Sequence, residues 1–158
     1  MTFAVDTNIL LDILLPDVKY KDSSLLLLTN YMKAGRIIIS DIVYSELASQ
    51  FPKEKLLTEF LNDANISLVS LTSEALWISA NAWKKYSRTR DKSLQCNCCG
   101  KKEIIRCAEC HSIITSKQHI LSDFIIAGHA LIESGTLLTR DRGFYRTYFP
   151  ELKIVSGL

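Results

Sequence analysis

Apolar and polar positions along the chain follow two alternating periods. Phe3-Ala4-Val5 is a short unbroken apolar run, Asp6-Thr7-Asn8 interrupts it, and Ile9-Leu10-Leu11 resumes. This predicts a buried strand, a turn at its end and a helix with a polar N-cap. Residues 23–33 carry apolar side chains at helical spacing and stop at Gly35, a residue that suits a helix end. Arg36–Ser40 contains three consecutive isoleucines without alternation, as expected of a strand covered on both faces. Ser40 is placed to cap a helix running to about Ser49, with Val43, Leu47 and Ala48 facing inward. Residues 54–62 read as a further helix and Ile66–Leu71 as a third strand. Thr72-Ser73-Glu74 opens a helix predicted to carry Leu76, Ala80 and Trp83 on its buried face. Between about Arg88 and Gln118 no period fits. The pattern returns at Ser122, a predicted cap for a helix to about Glu133 that stops at Gly135. Thr136–Thr139 is the fourth strand and Lys153–Ser156 a fifth.

Strands separated by helices predict an α/β fold with a mainly parallel central sheet flanked by helices. A length of 158 residues fits one domain over 1–158 with a small insert. Apolar runs such as Ile9–Leu11 and Ile37–Ile39 are far shorter than the roughly 18 residues of a membrane span. The opening MTFAVD places no basic stretch before an apolar one, so a cytoplasmic location is expected and no membrane association. There is no Walker A loop, dinucleotide glycine fingerprint or nucleophile elbow in the sequence.

In open parallel sheets ligands bind beyond the carboxyl ends of the strands. Asp6 ends the first strand, Glu46 lies one to two turns into the helix after the second, and Asp141 follows the fourth. Asp123 opens an otherwise strongly apolar helix. Four acids from four segments are thus expected at one sheet edge. Such a group repels itself unless cations neutralise it, and hard cations such as Mg²⁺ or Mn²⁺ suit carboxylate oxygens. Each acid also has a simpler reading. Asp6 or Asp123 would serve a helix N-terminus, Glu46 a solvated helix face, and Asp141 a turn.

The stretches VDTNILLDIL, ISDIVYSEL, LSDFIIAGHAL and LLTRDRGFY resemble, in order and rough spacing, the signature blocks of PIN-domain nucleases, and of VapC-like toxins in particular. The resemblance implies a PIN-like fold and a Mg²⁺- or Mn²⁺-dependent endoribonuclease. On that basis Asp6, Glu46, Asp123 and Asp141 form a catalytic, metal-holding set, with Asn8 and Thr139 orienting those acids or bound water. It also implies the toxin of a type II toxin–antitoxin pair, with an RNA substrate, a small antitoxin partner and a homodimer. A PIN nuclease of rRNA or mRNA processing, and a non-catalytic RNA- or protein-binding module, remain alternatives.

The aperiodic stretch holds all five cysteines. Cys96-x2-Cys99 and Cys107-x2-Cys110 are paired CxxC motifs, the arrangement of a tetrahedral structural Zn²⁺ site. A compact zinc-binding hairpin over 94–113 is therefore expected within the domain. Cys98 is left over, and His111 is a substitute ligand if one cysteine is unused. Disulfides or a redox CxxC are the alternatives, disfavoured by the expected compartment and by a position off the core pattern.

The net charge of +2 conceals an uneven distribution. From Lys84 to Arg106 there are eight basic residues against Asp91 and Glu103, a formal +6. Lys84, Lys85, Arg88 and Arg90 there, with Arg140 and Arg142 beside Asp141, are candidates for RNA phosphate contacts. Tyr145 and Tyr148 suit either base stacking or packing. His129, in the apolar helix, is expected to pack rather than catalyse.

Overall fold

A computed structural model describes residues 1–15, 18–89, 93–95, 101–114, 120–141 and 143–157. Five parallel strands form the central sheet: β1 (Thr2–Val5), β2 (Arg36–Ile39), β3 (Ile66–Leu68), β8 (Thr136–Leu138) and β9 (Lys153–Val155). Their order across the sheet is β3-β2-β1-β8-β9. The chain therefore moves outward from β1 to one side and returns to build the other, so the two halves diverge at the carboxyl end of β1. Phe3, Ala4, Val5, Ile37, Ile38, Ile39, Leu137 and Leu138 are all buried, which is why these strands read as continuous apolar runs.

The connecting helices are α1 (Thr7–Leu14), α2 (Lys21–Ala34), α3 (Asp41–Ala48), α4 (Glu54–Asp63), α5 (Ser73–Thr89) and α6 (Leu121–Glu133), with a short α7 (Gly143–Tyr148) between β8 and β9. Several predicted boundaries recur. Ser40 caps α3 by accepting a hydrogen bond from Val43 N–H at 3.3 Å. Gly135 ends α6 with φ +66° and donates its N–H to the Ala130 carbonyl at 2.8 Å, a left-handed stop that glycine adopts without steric penalty. β3 is shorter than expected, although Val69 N–H still reaches the Ile39 carbonyl at 2.9 Å. α6 begins at Leu121, so Ser122 lies inside it and Ile120 holds the N-cap position. The brief α7 escapes prediction because its six residues are too few to show a period.

The buried face of α5 is the clearest departure. Ala75, Ser79, Ala82 and Tyr86 face inward, whereas Leu76 is exposed, Ala80 is exposed and Trp83 is half-buried. Small residues win this face because α5 packs directly on α6 at Gly128. A Cβ at Gly128 would lie 2.1 Å from Ser79 Oγ and 2.6 Å from the Ala75 carbonyl oxygen. Ser79 Oγ is itself tied to that carbonyl at 2.6 Å. Bulky side chains on this face would push the helices apart.

Among the described residues between α5 and α6 there are two short antiparallel strand pairs. β4 (Leu94–Gln95) pairs with β5 (Lys102–Glu103), and β6 (Ile105–Arg106) with β7 (Ile113–Ile114). Of the predicted zinc ligands, Cys96 and Cys99 lie outside the described residues. Among the described residues no helix is long and apolar enough to cross a membrane.

Replacing a helical glycine by alanine ordinarily stabilises by about 0.5–1 kcal/mol. At Gly128 the sign is expected to reverse: Gly128→Ala should destabilise by about 1–3 kcal/mol through overpacking. Urea unfolding measures it, and a raised midpoint would contradict the close α5–α6 contact.

Candidate active site

The site starts from β1. Asp6 directly follows the last strand residue and holds the N-cap position of α1, yet its side chain makes no capping hydrogen bond. It turns instead across the sheet, 5% exposed. Its Oδ2 accepts from Asn8 Nδ2 at 2.6 Å, Thr139 Oγ1 at 2.6 Å and Tyr145 Oη at 3.2 Å. The Thr139 hydroxyl also accepts from Asn8 Nδ2 at 3.0 Å and from Asp141 N–H at 3.1 Å. Asn8 Oδ1 in turn accepts from Arg140 N–H at 3.1 Å. One network thus locks the end of β1 to the end of β8, and Asp6 Oδ1 takes no part in it.

Burial is the largest influence on Asp6 and raises its pKa from 3.8 to about 6. The hydrogen bonds from Thr139 and Tyr145 oppose that rise, and the negative charges of Asp123 and Glu46 add to it. Burial, then Asp6, Asp123 and Asp141, push the Tyr145 phenol well above its ordinary range, so Tyr145 stays a donor. Asp123 and Glu46 thus act on Asp6, while Asp6, Asp123 and Asp141 act on Tyr145.

Each outer acid also accepts a hydrogen bond of its own. Glu46 accepts from the Thr7 hydroxyl, Asp123 Oδ2 accepts from Ile120 N–H at 2.9 Å, and Asp141 Oδ1 accepts from Phe144 N–H at 3.3 Å. Among the described residues no three His, Cys, Asp or Glu side chains are close enough to hold a metal ion between them. Asp123 and Asp141 accept at the starts of α6 and α7, positions that favour a carboxylate. The donor set itself fits a hard divalent cation. It consists of carboxylate oxygens around a buried acid that those neighbours disfavour in its charged form.

Sequence reasoning passed over three contributors. Tyr145 was weighed only for stacking or packing, but it is 2% exposed and hydrogen-bonded to Asp6. Its position four residues after Asp141 was the available signal. Its neighbour Phe144 sits edge-on to Phe124, with ring centroids 4.6 Å apart, which seats α7 beside the residue that follows Asp123. Thr7, next to Asp6, reaches Glu46. Asp12, 3% exposed on α1, accepts from Ser24 Oγ at 2.6 Å and lies 3.1 Å from Arg140 Nε.

That last pair changes the picture of the basic residues. The Arg140 guanidinium is held by Asp12 and lies 4.3 Å over the Tyr20 ring, so its charge is partly used inside the fold. Lys84, Lys85 and Arg88 are exposed at the end of α5. Arg90 and Arg142 lie outside the described residues. His129 packs as expected, with Nε2 2.9 Å from the Val69 carbonyl oxygen, and burial lowers its pKa.

The fold and the acids at its switch point define a class, which the comparisons identify. Residues 3–150 match the PIN domain, and the chain belongs to that family. Its fold is similar to a chain of VapBC2 from Rickettsia felis, solved bound to a DNA fragment from the promoter. That match has a TM-score of 0.61 and 19% identity, covering 99% of this chain and 98% of the other. A toxin–antitoxin complex from Klebsiella pneumoniae matches with a TM-score of 0.57 and 16% identity, covering 98% and 97%. Among curated proteins no sequence matches.

The raised pKa of Asp6 has a stability consequence. Between about pH 4 and 6 the folded protein holds a proton on Asp6 that the unfolded chain has released, so stability falls as pH rises through that window. A rise from 3.8 to about 6 corresponds to about 3 kcal/mol. In metal-free protein, thermal unfolding across this range should therefore show a decline that Asp6→Asn lacks. Equal pH dependence in the two proteins would count against a raised Asp6.

Proposed function

We propose that this chain is a metal-dependent endoribonuclease that hydrolyses RNA phosphodiester bonds, and that it is the toxin of a type II toxin–antitoxin pair. The observation that carries the reading is the buried Asp6 carboxylate at the switch point of a PIN-domain sheet, under the joint field of Asp123 and Glu46. Asp6 and Asp123 would hold a Mg²⁺ or Mn²⁺ ion, and Glu46 and Asp141 a second ion or its waters. When bound, the metal supplies an activated water and neutralises charge on the scissile phosphate. The chain's own residues do the positioning. Thr139, Asn8 and Tyr145 fix one oxygen of Asp6 in place, so the acid cannot swing out of the site. Thr7 steadies Glu46. No protein nucleophile is required. Lys84, Lys85 and Arg88, with Arg90 and Arg142, would grip flanking phosphates. Arg140 acts through its pair with Asp12 as much as through substrate.

The partner assignment takes its support from the fold neighbours, both solved as toxin–antitoxin assemblies. A small antitoxin covering the acid edge, and a homodimer, are part of this proposal and rest on the resemblance to VapC-like toxins. A non-catalytic RNA- or protein-binding module is the second reading, and the local hydrogen bonds of Asp123 and Asp141 favour it.

Asp123→Asn separates the two readings, because asparagine keeps the oxygen that accepts from Ile120 and so preserves the start of α6. Cleavage of total RNA with Mg²⁺ or Mn²⁺ should fall at least about 100-fold, with an unchanged thermal melt. Wild-type cleavage by the variant, after nuclease-free purification, would sink the catalytic assignment.

A further inference from the structure

The two hairpins between α5 and α6 share one design. Gln95 pairs with Lys102 in the first, and Arg106 pairs with Ile113 in the second. Each of these innermost pairs closes a loop of six residues, CNCCGK and CAECHS. Aligned on the closing pairs, the loops correspond position by position. Cys96 matches Cys107, Cys99 matches Cys110 and Gly100 matches His111, while Cys98 falls opposite Glu109. In sequence, the cysteines of each CxxC are thus the first and fourth residues after the inner end of a paired strand.

The second loop shows what that closure does. Cys107 N–H donates to the Ser112 carbonyl at 2.9 Å, and His111 N–H donates to the Cys107 carbonyl at 3.0 Å. Arg106 Nη1 donates to the His111 carbonyl at 3.1 Å. His111 takes φ +57°, a left-handed conformation uncommon outside glycine. The corresponding sequence position in the first CxxC segment is Gly100, a residue type with no penalty in that region. The turn carries Cys107 and Cys110, neither of them in a disulfide. Two thiols on one tight turn form half of a tetrahedral site.

The segment also lacks the means to hold itself together. Its described residues from 101 to 114 are exposed or half-buried throughout. Ile104, Ile105 and Ile114 are exposed rather than gathered into a core. A polar unit of this size ordinarily needs a metal or another cross-link to be stable.

We propose that the twin hairpins form a structural zinc site, in which Cys96, Cys99, Cys107 and Cys110 supply four thiolates to one Zn²⁺ and Cys98 is left out. Each thiol releases its proton on binding, and four thiolates around a divalent ion leave a net charge of about −2. Lys101, Lys102 and Arg106 border the two loops and offset that charge. Four protein ligands close the coordination sphere, so this zinc is structural and separate from the acids at the sheet edge. His111 serves through its backbone turn rather than as a ligand.

The site is tested on full-length protein purified without chelator, whatever its effect on RNA. Elemental analysis should find about one zinc per chain. Cobalt substitution should give the intense thiolate-to-metal absorption of a tetrahedral sulfur site. Cys107→Ser and Cys110→Ser should lose most of the zinc, whereas Cys98→Ser and His111→Gly should keep it. Far-UV circular dichroism of the cysteine variants should show the main domain still folded. Less than about a tenth of a zinc per chain in the wild type would overturn the proposal. So would iron in its place, or loss of zinc on Cys98→Ser or His111→Gly.

Discussion

The burial of one carboxylate organises the functional end of this molecule. Asp6 sits where the chain leaves the central strand, at the point where neighbours β2 and β8 lead away in opposite directions. A charge withdrawn from water is unfavourable unless donors replace the lost hydration. Here they come from three places: Asn8 just along the chain, Thr139 at the end of β8, and Tyr145 on α7. These donors fall short of offsetting burial, and the residual pressure leaves the acid with a pKa of about 6. A carboxylate in that state is suited to meet a cation.

The surrounding packing can be understood as support for that arrangement. α7 reaches Asp6 through Tyr145 because adjacent Phe144 is seated among aromatic rings that include Phe124, Tyr86 and Tyr148. Phe124 also anchors the first turn of α6, where Asp123 sits. On the other side, Asp12 gathers Ser24 from α2 and Arg140 from beyond β8, tying α1 to the loop that carries Asp141. The two networks share the α1 segment and the residues just after β8. The ends of four elements are therefore held in register by side chains outside the set of acids.

The insert obeys different rules. It leaves and rejoins the domain between α5 and α6, and those helices stay in close contact through Gly128, Ala75 and Ser79. The domain thus tolerates an insertion at this connection because its own helix pairing does not depend on the connecting chain. The insert's described residues from 101 to 114 are exposed or half-buried throughout and gather no apolar core.

Much of the scaffold was legible in the sequence because its signals are local. The unbroken run Ile37–Ile39 announces a strand covered on both faces, Ser40 a cap, and Gly135 a left-handed stop, and each feature depends on near neighbours. Asp6 and Asp123 were legible as single positions because one ends a strand and the other opens a helix, whereas Glu46 lies well inside α3. The buried face of α5 was not legible. It is chosen by how closely α6 approaches, and hydrophobicity alone favoured Leu76 and Trp83 over Ala75 and Ser79. Nor did the sequence reveal which hydrogen bonds each acid makes, or that Tyr145 donates to Asp6 across 139 residues of chain. By itself the sequence determined most of the elements, the parallel character of the sheet and the chemical types after its strands, since these follow from periodicity and short-range sterics. Only the tertiary structure decided the exposure of each acid, the donors that face it and hence its charge state. Those properties depend on desolvation and on contacts between residues distant along the chain.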